Sequence, residues 1–428
     1  MNRRILALTA STMLVLAACG SRTDTDAAAT APSNTTAATE DGQPEDTVDN
    51  GGATDVGVTG DEIVIGVVAD LTGVVPGLFK SAPDAVKAHA AMINEAGGIH
   101  GRMIRVEVFD TGTSDNGNRL AYEEACEADI FALVGSFSAF DTGGYDAQVN
   151  CDTPTIPANV TDPEVDLLPN VYPRTSEDFG NSGPARWFAE EFPDAVTAGS
   201  FIFIDAPVTE RGARNSMEMR RSVGWDFVYE QPVTPLESNY TPHVLEMDRR
   251  GAQAFATSLD QSNIVRLVKA LREQNYELTI KEVGTQGYSA DFLEAAGPAA
   301  EGSYIPLTHA LLEETDRVPA MQDYTDWLDE TGGDEASSNG LLSWTRAMLF
   351  AEAVEAVGPD LTREALVQEL ESMTAWDADG LLPPQDVGEA RPEQSCFIMV
   401  QIQDGQFARI HPDEGFDCSP DYVYEYEA

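Results

Sequence analysis

The chain has 428 residues, with 73 Asp and Glu against 25 Lys and Arg, and a formal net charge of −48 at pH 7. Only eight of the acids and three of the bases fall within the first 57 residues, so the excess belongs to the part long enough to bury a core. Such acidity argues against nucleic acid as a partner, because phosphate binding needs a basic face. The length beyond residue 57 exceeds one core and fits two lobes.

The N-terminus carries Arg3 and Arg4, then an apolar run from Ile5 to Ala18. This is a charged n-region followed by an h-region of signal-peptide length, too short to span a bilayer as a mature helix. It ends in Leu16-Ala17-Ala18-Cys19-Gly20, which resembles the bacterial lipobox. The resemblance implies cleavage before Cys19 and diacylation of its thiol, which anchors the chain to the membrane; the plain alternative is an ordinary signal peptide that contains a cysteine. Residues 19–57 hold no aromatic side chain and are rich in Ala, Thr, Asp, Gly and Ser, the composition of a flexible tether.

From Glu62 the pattern alternates. Glu62 to Val68 is a mostly apolar run, as a buried parallel strand should be. A helix is predicted over 83–96, with Val86, Ala90 and Ile93 at helical spacing and Gly97-Gly98 as its stop. Strands follow at 104–109, 130–135 and 153–156, with helices at 118–125 and after Ser138. The pattern restarts with a helix at 178–191 and strands at 199–204, 225–229, 252–257 and 278–283, separated by helices near 209–222 and 261–275. Helices are then predicted at 319–331, 340–357 and 362–373. Phe397 to Gln401 and Gln406 to Ile410, joined through Asp404-Gly405, read as a hairpin. Repeated β-α units imply parallel sheets with right-handed crossovers.

Beside Cys19 stand Cys126, Cys151, Cys396 and Cys418. Four cysteines allow three pairings in an oxidising compartment. The pairing of sequence neighbours, Cys126–Cys151 and Cys396–Cys418, is the one expected. The alternative, a zinc site, lacks any CxxC spacing.

Gly66 to Gly73, Ile93-Asn94-Glu95-Ala96-Gly97-Gly98-Ile99-His100-Gly101, Leu133 to Ser138 and Thr161-Asp162-Pro163 resemble the periplasmic binding proteins of the leucine/isoleucine/valine type. The likeness covers nearly all of 61–420. It implies a type I periplasmic-binding-protein fold: α/β, with two doubly wound Rossmann-like lobes joined by three chain crossings near 175, 307 and 393. Residues 58–175 and 308–392 would form lobe one, and 176–307 and 393–420 lobe two. It also implies an extracytoplasmic protein that captures a small organic ligand, a branched-chain amino acid or a related amide or carboxylate, and delivers it to an ABC transporter permease. The same architecture could serve a sensor coupled to a membrane receptor.

Ligands of open α/β sheets meet the loops beyond the carboxyl ends of the strands. The loop after the third strand offers Ser136, Ser138 and backbone N–H groups at a helix start, Ala139 included, as an anion site. The resemblance assigns that loop to the ligand carboxylate; Ser138 read alone serves equally as a helix cap. The resemblance further implies contacts from Asn159 and Thr161. In amino-acid binders a second-lobe carboxylate pairs with the ligand's ammonium, and the matching position here is Gln286. An amide does not neutralise a buried ammonium. Asp260 could supply that charge, or cap the helix that follows it. The tyrosine-glycine pair of relatives is absent from Val208 to Gly212; Arg211 there either faces an acidic ligand or is solvated. Phe79 and Phe140 either line the pocket or belong to the core.

No GxSxG, Walker A or HExxH pattern occurs, and His89, His100, His243, His309 and His411 are scattered. The chain is therefore expected to be a monomeric binding protein, with no enzymatic role, metal or cofactor.

Overall fold

The computed structural model describes residues 51–73, 77–160, 162–173, 179–205, 207–234, 236–388 and 395–426. Cys19, Thr161 and the crossing positions 175 and 393 lie outside the described residues.

β1 (Glu62–Ala69) is buried from Ile63 onward. A strand covered on both faces belongs inside a parallel sheet. β2 (Met103–Asp110), β3 (Ala132–Val134) and β4 (Thr155–Ile156) complete that sheet, in the order β2-β1-β3-β4 and parallel throughout. Gly66 lies opposite Glu107 on one side and Leu133 on the other.

β5 (Phe179–Asn181) precedes a second parallel sheet. That sheet is formed by β6 (Gly199–Ile204), β7 (Phe227–Val233), β8 (Ala254–Ser258) and β9 (Ile280–Lys281), in the order β7-β6-β8-β9. β10 (Tyr304–Leu307) pairs antiparallel with β11 (Cys396–Gln403), which also pairs with β12 (Gln406–His411) and β13 (Asp417–Cys418). β14 (Val423–Glu425) returns to β5.

Helices Ser81–Glu95, Pro319–Thr331, Ser338–Val357 and Arg363–Ser372 pack with the first sheet around Trp344, which is 1% exposed. Helix Ser338–Val357 is capped by Ser337, whose side chain accepts from Gly340 N, and buries Leu341, Trp344, Phe350 and Val354 among others. Small residues on helix Ser81–Glu95 (Ala82, Ala85, Ala88) allow it to lie close against this element. A second core, around Phe255, Leu267, Ile305 and Val400, belongs to the second sheet. Ala310 packs in the first core and Leu307 and Leu311 in the second, so this segment touches both cores. Leu312, half-buried, packs against both.

Cys126 and Cys151 form a disulfide, as do Cys396 and Cys418, with Cα separations of 5.8 and 4.1 Å. The second links the paired strands β11 and β13.

Three predicted elements change. The expected helix from residue 178 begins instead as β5, because β14 pairs with it; helix Gly183–Glu191 follows. The strand expected at 225–229 runs from Phe227 to Val233. Trp225 is buried before it and donates its indole N–H to Ala185 O (3.0 Å). The helix expected after Ser138 is a 3₁₀ turn, Asp141–Gly144, followed by the five-residue helix Tyr145–Val149.

Candidate functional site

The order β2-β1-β3-β4 reverses direction between β1 and β3, so a crevice opens beyond their carboxyl ends. Two glycines shape its rim. Gly73 has φ +103°, and a Cβ there would meet Gly112 O at 2.1 Å. Gly135 has φ +72°, and a Cβ would meet Val86 Cγ2 at 2.4 Å. Both positions exclude larger residues on conformation and on space.

The loop after β3 is tied to its neighbours by backbone bonds. Phe137 N donates to Val68 O (3.0 Å), and Ala158 N donates to Ser136 O (2.9 Å). The Ser136 hydroxyl, 2% exposed, accepts from Val68 N (3.0 Å) and so joins β1 to β3.

Asp70, the residue after β1, is wholly buried. Its Oδ1 accepts from the Ser138 hydroxyl (2.7 Å) and from the Thr111 hydroxyl, and its Oδ2 accepts from Ala139 N (2.9 Å). Ser138 Oγ in turn accepts from Asn118 Nδ2 and Phe140 N, both at 3.0 Å. Three loops thus converge on one carboxylate. The donors expected to hold a ligand's carboxylate, Ser138 and Ala139, hold Asp70 here. The sequence reading passed over Asp70. Its signal was an acid placed directly after a buried central strand, where a charge needs donors to be tolerated.

A second acid, Asp141, is 4% exposed at the start of the 3₁₀ turn and accepts from Asp162 N (3.3 Å). The Tyr122 phenol is pushed up by burial first and then by the charges of Asp141 and Asp70. Asp110, at the end of β2, shows the contrasting case. Burial works against its charge, but bonds from the Thr72 hydroxyl and from Gly112, Thr72 and Leu71 N–H hold its carboxyl below the usual range.

Phe79 is half-buried and tilts against Phe137 with ring centroids 4.2 Å apart, in an apolar cluster with Ala69, Ala82 and Ala158. Phe140 is half-buried, and Asn159, after β4, is exposed.

In the second sheet the order reverses between β6 and β8. Asp260 follows β8, is exposed, and caps helix Gln261–Glu273 by accepting from Asn263 N (3.1 Å). Gln286 is exposed on the 3₁₀ turn Thr285–Gly287. Arg211 is exposed on helix Pro207–Ser222.

At the lobe crossing, the Tyr288 hydroxyl donates to Glu313 Oε2 (2.5 Å) and accepts from Leu312 N (2.7 Å). Burial raises the Glu313 carboxyl, and neighbouring Glu314 adds to the rise. Buried His309 is pushed down by desolvation, so it is neutral near pH 7. A groove of about 500 Å³ lies between this segment and β12, and shares no residue with the β1/β3 crevice. Among the described residues, no helix is long and apolar enough to cross a membrane, and no cluster of His, Cys, Asp and Glu could hold a metal ion.

Residues 62–406 match the family model described as periplasmic binding protein. The chain belongs to that family, whose members are extracytoplasmic substrate-binding proteins. Solved structures share its fold at low identity. One is the fatty acid ABC transporter substrate-binding protein from Thermomonospora curvata (TM-score 0.70, 20% identity, 87% of this chain and 96% of that one). Another is the branched-chain amino acid transporter substrate binding protein LivJ from Streptococcus pneumoniae in complex with isoleucine (TM-score 0.67, 15% identity, 82% and 100%). A third is a branched chain amino acid ABC transporter from Thermus thermophilus with bound valine (TM-score 0.67, 16% identity, 87% and 98%). A curated protein from Haloarcula marismortui, "Apparent malate synthase", is 29% identical over 209 residues. That match covers 46% of this chain, and the chain spans about half of that relative's length (45%).

Proposed function

We propose that the protein is a lipid-anchored, monomeric receptor that captures a small organic solute between its two lobes and delivers it to an ABC transporter permease. The observation that carries this reading is the crevice beyond β1 and β3, where the loops after three strands of the first sheet converge. A crevice at such a reversal is where open α/β sheets take ligands. The crossing near 307 is a candidate hinge for closure, together with those near 175 and 393. Asn159 and Thr161, with the Ser136–Ala139 loop, are the first-lobe candidates for ligand contact; Asp260 and Gln286 are those of the second lobe. A branched-chain amino acid, or a related amide or carboxylate, is the starting range, in keeping with the isoleucine and valine in two similar structures. Cys19 would carry the lipid, and two or more acyl chains hold a protein firmly at a membrane.

A thermal-shift screen against amino acids, amides, short carboxylates and aromatic acids tests capture. A ligand that binds only the folded state, present at 100 times its Kd, adds about 2.7 kcal/mol and raises the melting temperature in a concentration-dependent way. No shift across the whole screen would refute the reading.

A further inference from the structure

We infer that Asp70 is a specificity-determining residue: it occupies the donor set of the first-lobe crevice, so the ligand presents an uncharged polar or cationic group there and not a carboxylate. This inference rests on the capture reading above and narrows it to a ligand class.

The argument begins with donors. An anion site needs N–H or O–H groups aimed at open space. Here the Ser138 hydroxyl and the Ala139 N–H both point to Asp70, at 2.7 and 2.9 Å, and the Thr111 hydroxyl joins them. The remaining hydrogen bonds of Ser138 Oγ come from Asn118 and Phe140 and leave that oxygen saturated. Ala139 is exposed while Asp70 is wholly buried, so the carboxylate reaches outward to the loop from beneath it.

Charge gives the same answer. The hydrogen-bond partners of Asp70 among the described residues are all neutral, so its negative charge is spread over donors and met by no cation. Asp141, nearly as buried, adds a second negative charge that, like that of Asp70, acts on Tyr122. A second carboxylate brought within a few ångströms would meet like charge in a water-poor site, where Coulomb energies are several times their value in water. The α-helix start that could have offset this is replaced by a 3₁₀ turn, with Asp141 in its first position. A buried charge that repels one class of ligand sets specificity as effectively as an attractive contact.

Calorimetric titration of the purified protein with matched acid and amide probes tests this. The pairs are isovalerate with isovaleramide, benzoate with benzamide, L-leucine with L-leucinamide, and L-phenylalanine with L-phenylalaninamide. The expected result is that each amide that binds does so at least tenfold more tightly than its acid, and that Asp70→Asn narrows the gap. An acid that binds the unaltered protein as tightly as its amide overturns the inference and leaves the capture reading standing. A gap unchanged in folded Asp70→Asn overturns the role given to Asp70. Heat from no probe, in either protein, overturns the capture reading and the inference together. If Asp70→Asn does not fold, the acid–amide comparison on the unaltered protein decides alone.

Discussion

Replacing Arg409 with Met should cost more than the ion pair it removes is worth. Arg409 on β12 grips Glu314 of the crossing segment with two bonds, Nε to Oε1 at 2.6 Å and Nη2 to Oε2 at 2.5 Å. Both side chains are only 9% exposed. With charge centres about 4 Å apart and an effective dielectric of about 20, the attraction is roughly 4 kcal/mol. Removing two ions from water costs several kcal/mol each, so the pair as a whole is close to neutral. Arg409→Met leaves buried Glu314 facing the exposed Arg317 at 3.8 Å, a weaker and solvent-screened pairing, and the expected loss is about 3 kcal/mol, the low end for a broken buried pair. It also removes the bond from Arg409 Nη1 to Gly415 O (2.6 Å). Glu314→Gln in the same chain removes the stranded charge, and the double variant should recover at least half of the loss. Urea unfolding at pH 7, read as a double-mutant cycle, measures the coupling. A single variant that loses under 1 kcal/mol, or a double variant no more stable than Arg409→Met, would refute the reasoning.

Removing the first disulfide by Cys126→Ala with Cys151→Ala should cost about 3.5 kcal/mol, from chain entropy for a separation of 25 residues; urea midpoints with and without reductant check this. His89 is 3% exposed, stacks edge-on against Trp344, and is pushed down to about 3 by desolvation. The unfolded imidazole takes a proton near pH 6.5 while the folded one does not. Its contribution is therefore complete above pH 6.5 and falls as pH drops toward 3. Between pH 7 and pH 4, His89→Leu should lose roughly 3 kcal/mol less than the unaltered protein, and equal pH slopes would dismiss the assignment. Asp260→Ala should cost about 1 kcal/mol by uncapping helix Gln261–Glu273, and Asp260→Asn should restore it. An Asn variant as unstable as the Ala variant would show that the cap is not the cause.

The parallel strands were legible because burial on both faces leaves apolar runs, as in β1, β3 and β6. Helix Ser338–Val357 was found within two residues of its start, since its apolar residues need no partner to be recognised. β5 was read as the opening of a helix. Its Phe179-Gly180-Asn181 stretch becomes a strand only by pairing with residues more than 240 positions later. Pairing over that distance leaves no periodic trace. β4 and β9 are two residues long, shorter than the strands expected at 153–156 and 278–283.

The strand-end loops were legible as a place in the fold, and the partners of their side chains were not. The rule that ligands sit beyond strand ends selected the Ser136–Ala139 loop, and the structure shows that loop at the β1/β3 reversal. What the loop does depends on the other two loops that reach it. Asp70 is one of 73 acids in the sequence, and its place directly after an apolar run is the one mark its neighbours give it. It becomes distinct only when Thr111, from the loop after β2, and Ser138 and Ala139, from the loop after β3, are brought to its two oxygens. A hydroxyl is a donor to whatever acceptor lies nearest, so serine in a binding loop does not by itself specify an anionic ligand. In this chain the acceptor is internal and charged. The same three donors that would have captured a carboxylate from solution instead make a buried carboxylate tolerable, and they pass its charge to whatever enters the crevice.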